Sequence, residues 1–311
     1  MDFYSALEDL VDQIPDGKIA FLGDVAHALG DKAAAVALPR ALKEIRDRCD
    51  RSKRVLKADG SPVLPDALAA LMREGVAVSG PKIEGAERFA FREFRTTRPL
   101  GRLRALQHRC ARRVILRDGV RKPRTVAGVD VSYHENHAVA AAVLMDAETL
   151  DMLAEAIVEV EVTFPYIPGY LAFRELPPLL AALRSLPAKP SLLFVDGHGI
   201  LHPAKCGIAA QLGITANVPT IGIGKSYLVG DIDSKNLRRG AAVPVRIGGK
   251  IMGYAFRSSE SRHPIFVSPG NMITAKTALR LTRAACLSRV PEPIRLAHVM
   301  ATEKRKRKND T

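Results

Sequence analysis

Two kinds of apolar patterning divide the chain. Near its start, Phe3, Leu7, Leu10 and Val11 recur at helical spacing until Pro15-Asp16-Gly17 interrupts them, which predicts a helix over Asp2–Gln13. Gly17–Gly30 and the alanine-rich run Lys32–Arg46 then read as helix, short glycine turn and helix, the pattern of a helix-turn-helix. The middle of the chain changes to strand-like runs. Thr125–Tyr133 is apolar but for Asp130 and a few small polar residues, Ala138–Met145 is almost wholly apolar, and Glu155–Phe164 alternates through Ile157, Val158, Val160 and Val162. These runs predict a three-stranded meander with His134-Glu135-Asn136-His137 as its first turn. A helix is predicted from about Gly169. Leu192–Val195, short, aliphatic and preceded by Pro190, reads as a strand buried on both faces. Val243–Phe256 predicts a hairpin turned at Gly248-Gly249, and Ile273–Leu287 a helix. Strands and helices in this order predict an α/β domain on a mixed sheet.

Charge adds a partner to this picture. The 311 residues carry 47 lysines and arginines against 33 acids, a formal net charge of +14. Such an excess suits a polyanion, with nucleic acid the first candidate. It is densest over Arg95–Arg124, where eleven basic residues accompany one acid, Asp118. Leu100, Leu103, Leu106, Cys110, Val114 and Leu116 recur there at near-helical spacing, predicting an amphipathic basic helix over 99–117. Pro99 marks the approach to a second domain. The run Lys304–Lys308 reads as a disordered tail that could clamp phosphates. Cys49, Cys110, Cys206 and Cys286 are widely spaced and form no CxxC pair, as expected of free thiols in a reducing cytoplasm. Met1-Asp2-Phe3-Tyr4 lacks the basic start and apolar core of a signal peptide, and no apolar run approaches membrane-spanning length.

Three acids carry the candidate chemistry. Asp130 interrupts the first strand, Glu175 lies on the helix after the meander, and Asp196 ends the Leu192–Val195 strand before Gly197-His198-Gly199. A carboxylate beside a buried strand is costly unless it is neutralised. Asp196 alone could equally cap the next helix. Together, three acids on otherwise apolar elements suit Mg²⁺, which takes hard oxygen ligands. Pro165-Tyr166-Ile167-Pro168 is a turn stiffened by two prolines that presents an aromatic in fixed orientation. That is the build of a wedge for a base stack, although a rigid loop with a core tyrosine would read the same way.

These stretches resemble endonuclease V. The resemblance lies in Ala127–Tyr133, Phe164–Gly169 with Phe173-Arg174-Glu175, Val195–Gly199 with His202-Pro203, Gly222–Ser226 and Pro269-Gly270, and it covers about Pro99–Arg295. It implies a ribonuclease H-like mixed sheet with flanking helices. It also implies Mg²⁺-dependent (or Mn²⁺-dependent) hydrolysis of the second phosphodiester 3′ to deoxyinosine, leaving 3′-hydroxyl and 5′-phosphate. Asp130, Glu175 and Asp196 would hold the metal, and His202 and Lys225 would sit by the scissile phosphate. Tyr166, with Pro165, Ile167 and Pro168, would part the strands, and Gly169, Leu171, Gly197, Gly207 and Leu228 would line the base pocket. Two positions depart from the family pattern: Asn271 and Gln211 each stand where the family commonly has histidine. Asn271 is expected near the metal, where it could donate or accept a hydrogen bond but not shuttle a proton.

The N-terminal part resembles the DNA-binding domain of the O6-alkylguanine-DNA alkyltransferases. The resemblance rests on Pro15–Lys18, Gly23–Ala26, Ala28–Gly30, Arg54–Gly60 and Leu71–Val76. Arg51-Ser52-Lys53-Arg54 stands at that family's Pro-Cys-His-Arg, so Ser52 replaces the alkyl-accepting thiol. Ala34 replaces its arginine finger, and no asparagine precedes Asn136. The expectation is a winged-helix-like, α-rich domain over 1–94 that binds DNA without alkyl transfer, through Lys43, Arg46, Arg48, Arg51, Lys53 and Arg54, or else a degenerate scaffold on which those charges are a solvated helix face. A nuclease domain over 95–300 and a tail over 301–311 follow. Two further readings stay open at this point, a non-catalytic lesion-binding protein and an inosine-specific ribonuclease. The sequence leaves the oligomeric state open.

Overall fold

The computed structural model describes residues 1–134, 136–232, 237–261 and 263–309, so Glu135 of the predicted first turn lies outside the described residues. Two compact units emerge, Met1–Ala105 with Thr163–Tyr170, and Leu106–Val162 with Leu171–Thr311. The division lies at Ala105/Leu106, inside the helix Pro99–Ala111, and not at the expected residue 94, and eight residues from mid-chain join the N-terminal unit.

That N-terminal unit is mostly helical. It holds α1 (Phe3–Val11), β1 (Ala20–Phe21), α2 (Leu22–Leu29), α3 (Leu38–Ile45), β2 (Val55–Leu56), α4 (Ala67–Arg73) and the first half of α5 (Pro99–Ala111). The side chain of Asp2 caps α1 through the Tyr4 and Ser5 N–H groups, and Phe3, Leu7, Leu10 and Val11 are buried, as their spacing predicts. The helix predicted over Lys32–Arg46 is broken into a 3-10 turn (Lys32–Val36) and α3. Pro39 explains the break, since it has no N–H to continue a ladder but suits the first turn of a new helix. β1 and β2 pair in parallel over two residues each, so the unit has a minimal sheet. The winged-helix expectation gains no support from it.

The second unit is built on a nine-stranded mixed sheet. Its strands are β3 (Thr125–His134), β4 (His137–Asp146), β5 (Met152–Glu161), β6 (Leu192–Asp196), β7 (Thr220–Gly224), β8 (Asp231–Ile232), β9 (Ala242–Ile247), β10 (Lys250–Phe256) and β11 (Ile265–Asn271), in the order β5-β4-β3-β6-β7-β11-β10-β9-β8. The meander β3-β4-β5 and the β9–β10 hairpin match their predictions. β6 is parallel to both β3 and β7, and the other pairs are antiparallel. Helices α6 (Leu171–Arg184) and α7 (Ile208–Ala216) bury one face, against Ala127, Val129, Leu193 and Val195. Helices α8 (Ala275–Ala285) and α9 (Glu292–Asn309) bury the other, against Val126, Leu192 and Phe194. Cover on both faces explains why β4 is buried from Ala138 to Met145 and why its sequence is continuously apolar.

Two expectations about charged segments need correction. The basic helix α5 ends at Ala111, short of 117, and Leu106 and Leu116 of its proposed apolar stripe are exposed. The run Lys304–Lys308 continues α9, so it is helical and not a separate disordered tail. Among the described residues no helix is long and apolar enough to cross a membrane.

Candidate active site

The parallel register of β3 and β6 pairs Val129 with Val195, so the next residues, Asp130 and Asp196, emerge side by side. Alternation turns both toward the face covered by α9. Gly128, two residues before Asp130, admits that helix: a β-carbon there would lie 2.1 Å from the Pro293 carbonyl carbon. The close approach brings His298 of α9 to the site, its Nδ1 2.6 Å from Asp130 Oδ2. Lys225, just past β7, pairs with Asp196 Oδ2. Glu175 arrives from the second turn of α6, where Pro177 and Pro178 interrupt the helical ladder, and its Oε1 accepts from the Tyr133 hydroxyl at 3.3 Å. The Arg174 guanidinium lies 4.1 Å over the Tyr133 ring.

The electrostatics follow from this crowding. Burial, then the charge of Asp196, raises the Asp130 carboxyl above the usual range. Burial, then Asp130, pushes Glu175 up to about 7. Among the described residues no group of three His, Cys, Asp or Glu is already drawn together as a closed metal site. The donor set nevertheless fits a hard divalent cation: three carboxyls share a region of excess negative charge, with Lys225 on one and His298 on another.

His202 is buried, and its Nδ1 accepts the Ala204 N–H at 3.2 Å. In the neutral ring that bond puts the proton on Nε2, leaving it a donor. Gly197 and Gly207 lie at tight crossings. A β-carbon on Gly197 would come 2.4 Å from Ile208 Cγ2, and one on Gly207 would come 2.2 Å from the His198 carbonyl oxygen. The Gly207 N–H donates to the Gly199 carbonyl at 2.8 Å, so the turn after Asp196 and the start of α7 are pinned together. Leu171 begins α6, and Leu228 is half-exposed. Pro165, Tyr166, Ile167, Pro168 and Gly169 belong to the N-terminal unit.

Asn271 is not with the acids. It pairs with Thr220, which is level with Leu193, at the opposite end of β6 from Asp196. Its side chain is buried, and Oδ1 accepts the Ile115 N–H at 3.0 Å. A catalytic role for Asn271 is therefore corrected to a structural one. Gln211 is likewise buried, 3.5 Å from the Cys206 carbonyl. The histidine at the acids is His298, which sequence reasoning missed. A signal was present: Pro291-Glu292-Pro293 opens a helix whose buried stripe is Ile294, Ala297 and Ala301, and His298 sits one step off that stripe.

The family model for endonuclease V matches residues 108–299. The chain belongs to the endonuclease V family. Endonuclease V of Azotobacter vinelandii is 45% identical over 205 residues, covering 65% of this chain and 92% of that protein. The crystal structure of endonuclease V from Streptomyces avermitilis shares 40% identity and a TM-score of 0.62, covering 67% of this chain and 93% of its own. A Ciona intestinalis endonuclease V, crystallised with a 23mer DNA containing an inosine followed by a ribo-adenosine, is 26% identical with a TM-score of 0.62, over 68% of this chain and 99% of its own. Membership makes the chain a nuclease, a hydrolase of phosphodiester bonds. Residues 1–107 lie outside the family match.

Proposed function

We propose that this endonuclease V family member is a DNA-repair enzyme that recognises deoxyinosine and hydrolyses the second phosphodiester on its 3′ side, leaving 3′-hydroxyl and 5′-phosphate. The observation that carries the reading is the crowding of Asp130, Asp196 and Glu175 by the β3–β6 register and α6. Structural carboxylates are normally answered by partners that lower their proton affinity, whereas burial and the neighbouring acids raise that of Asp130 and Glu175, as expected where chemistry is done. The inosine-containing DNA bound by the Ciona relative supports the choice of lesion.

Asp130, Glu175 and Asp196 would hold a divalent ion, Mg²⁺ or Mn²⁺, which when bound supplies Lewis-acid stabilisation and a more acidic water. The chain's own groups do the rest. Lys225 sets a cation beside Asp196, where the charge of a scissile phosphate has to be matched. His298 is more than half exposed while bonded to Asp130, so it can pass a proton between that carboxylate and solvent. The Nε2–H of His202 donates to a phosphate oxygen. Tyr166 parts the strands, and Gly169, Leu171, Gly197, Gly207 and Leu228 receive the flipped base.

The test is strand scission of an end-labelled duplex with one deoxyinosine, in Mg²⁺ or EDTA. One Mg²⁺-dependent nick a nucleotide beyond the lesion is expected. Binding without cutting in Mg²⁺ or Mn²⁺ would favour a lesion-binding protein instead. An RNA of the same sequence with one inosine, run alongside, separates deoxyribonuclease from ribonuclease action.

A further inference from the structure

The eight residues Thr163–Tyr170 lie between β5 and α6 in sequence, yet they pack with Met1–Ala105. Both ends of the segment are anchored there. At one end the Phe3 N–H, at the start of α1, donates to the Thr163 carbonyl at 3.1 Å, and the Phe3 ring meets Phe164 edge-on at 5.7 Å between centroids. At the other end the Tyr170 hydroxyl donates to Asp31 Oδ2 at 2.6 Å. Arg104 donates to the same oxygen at 2.9 Å, and its guanidinium lies 4.3 Å over the Tyr170 ring. Asp31 is itself fixed, because its Oδ1 accepts the Ala33 N–H at 2.9 Å. Between these anchors Ile167 is fully buried and two prolines hold the backbone. Phe164 and Tyr170 are buried too, whereas Tyr166 is 57% exposed. Three buried side chains and a charge-assisted hydrogen bond thus steady a single outward aromatic.

We propose that the N-terminal module is the mount of the strand-separating tyrosine. Phe3 and the Asp31–Tyr170–Arg104 group hold the loop 163–170 in one conformation, so that Tyr166 meets duplex DNA already in its working shape. The inference rests on the nuclease reading above. Its physical basis is that a wedge must supply a few kcal/mol to unstack a base step, and a loop that yields cannot transmit that work. Preorganisation removes the ordering cost from each encounter. Single-stranded DNA has no partner strand to part, so the mount matters for duplex and much less for single strands. Asp31, Phe3 and Arg104 are positioning residues in this scheme, acting through Tyr166.

The experiment uses the full chain and compares nicking of one deoxyinosine strand, alone and in duplex. Tyr170→Phe, which removes a single oxygen, and Asp31→Ala are each expected to slow duplex nicking about tenfold, in keeping with loss of one hydrogen bond to a charged acceptor. Single-strand nicking should stay within about twofold. Asp31→Asn keeps an oxygen to accept from Tyr170 and should recover most of the loss. In EDTA, 2-aminopurine next to the deoxyinosine should brighten less on binding the variants, reporting weaker unstacking without any cutting. Equal losses on both substrates, or undiminished duplex nicking with unchanged fluorescence, would overturn the proposal. Wild type that cuts neither form would instead remove the nuclease reading, and the fluorescence would still decide whether the mount governs unstacking.

Discussion

Charged side chains are handled in opposite ways in the two units. In the N-terminal unit Arg54 is buried and fully answered: Asp16 lies at 2.6 Å, Glu74 at 2.8 Å and the Ile14 carbonyl at 2.5 Å. Lys53 reaches Asp50 and Asp66, Arg48 pairs with Glu8, and Arg51 donates to the Asp12 carbonyl. In the second unit burial and the neighbouring acids raise Asp130 and Glu175 above the ordinary carboxylate range, even with His298 bonded to Asp130. The contrast separates charges that build a fold from charges kept ready for a reaction. It also weakens the expectation that the basic residues near Ser52 bind DNA, since several of them are committed to neighbours within their own unit. Exposed arginines of the 95–124 stretch, such as Arg109, Arg112 and Arg113, remain available for phosphates.

Substitutions can sharpen this contrast, beginning with the largest effect. Asp196→Asn removes a charge from the crowded group and should lower nicking by roughly three orders of magnitude, with thermal stability unchanged or higher. Rates from single-turnover nicking and a melting curve check both halves. Arg54→Ala should do the reverse. It removes the hydrogen bonds of a buried guanidinium to Asp16, Glu74 and the Ile14 carbonyl, leaves half-buried Glu74 with the Gly17 N–H, and is expected to cost about 2–3 kcal/mol by denaturant titration, while single-strand nicking by the folded fraction persists.

pH should divide the regions next. The folded pKa of Glu175 is raised to about 7 from an ordinary 4.5. Its protonated form therefore stabilises the metal-free protein fully below the ordinary value, and that stability is lost as pH rises through the folded one. Asp31 is the opposite case. Burial acts to raise it, but the Tyr170 hydroxyl, the Ala33 N–H and Arg104 prevail and hold it below the ordinary 3.8. Its contribution is present above the ordinary value and is lost on acidification through the lowered one. In EDTA the melting temperature should thus fall between about pH 5 and pH 8. Glu175→Gln should flatten that limb, and Asp31→Asn should flatten only the acid limb. The smallest effect concerns Asn271. Asn271→Ala leaves the part-buried Ile115 N–H without its acceptor and should cost about 1–2 kcal/mol, with nicking by the folded protein changed less than about twofold. A loss of rate like that of Asp196→Asn would return Asn271 to the active site.

Much of the catalytic unit was legible because local patterning and long-range pairing agree there. An acid ending an apolar strand is visible in one dimension, and Asp130 and Asp196 needed only the sheet to bring them together, with α6 adding Glu175. Asn271 misled because a motif gives a position along a strand but not its register against a neighbour. His298 went unread because a histidine on the rim of a helix resembles any solvated residue until Gly128 shows how closely that helix lies. The break at Pro39 was written in the sequence, yet the run of alanines on either side obscured it. The allegiance of Thr163–Tyr170 to the N-terminal unit could not be read at all. It depends on Phe3, Asp31 and Arg104, which lie some sixty to a hundred and sixty residues away.

The most direct measurement is Glu175→Gln, read for both nicking and stability on one preparation in EDTA and in Mg²⁺. If the acids are held for chemistry at a cost to the fold, nicking of the deoxyinosine duplex in Mg²⁺ is lost, and the metal-free variant melts higher than wild type at about pH 8. A variant that still nicks, or one that melts lower than wild type, would show that Glu175 supports the fold and would contradict the account.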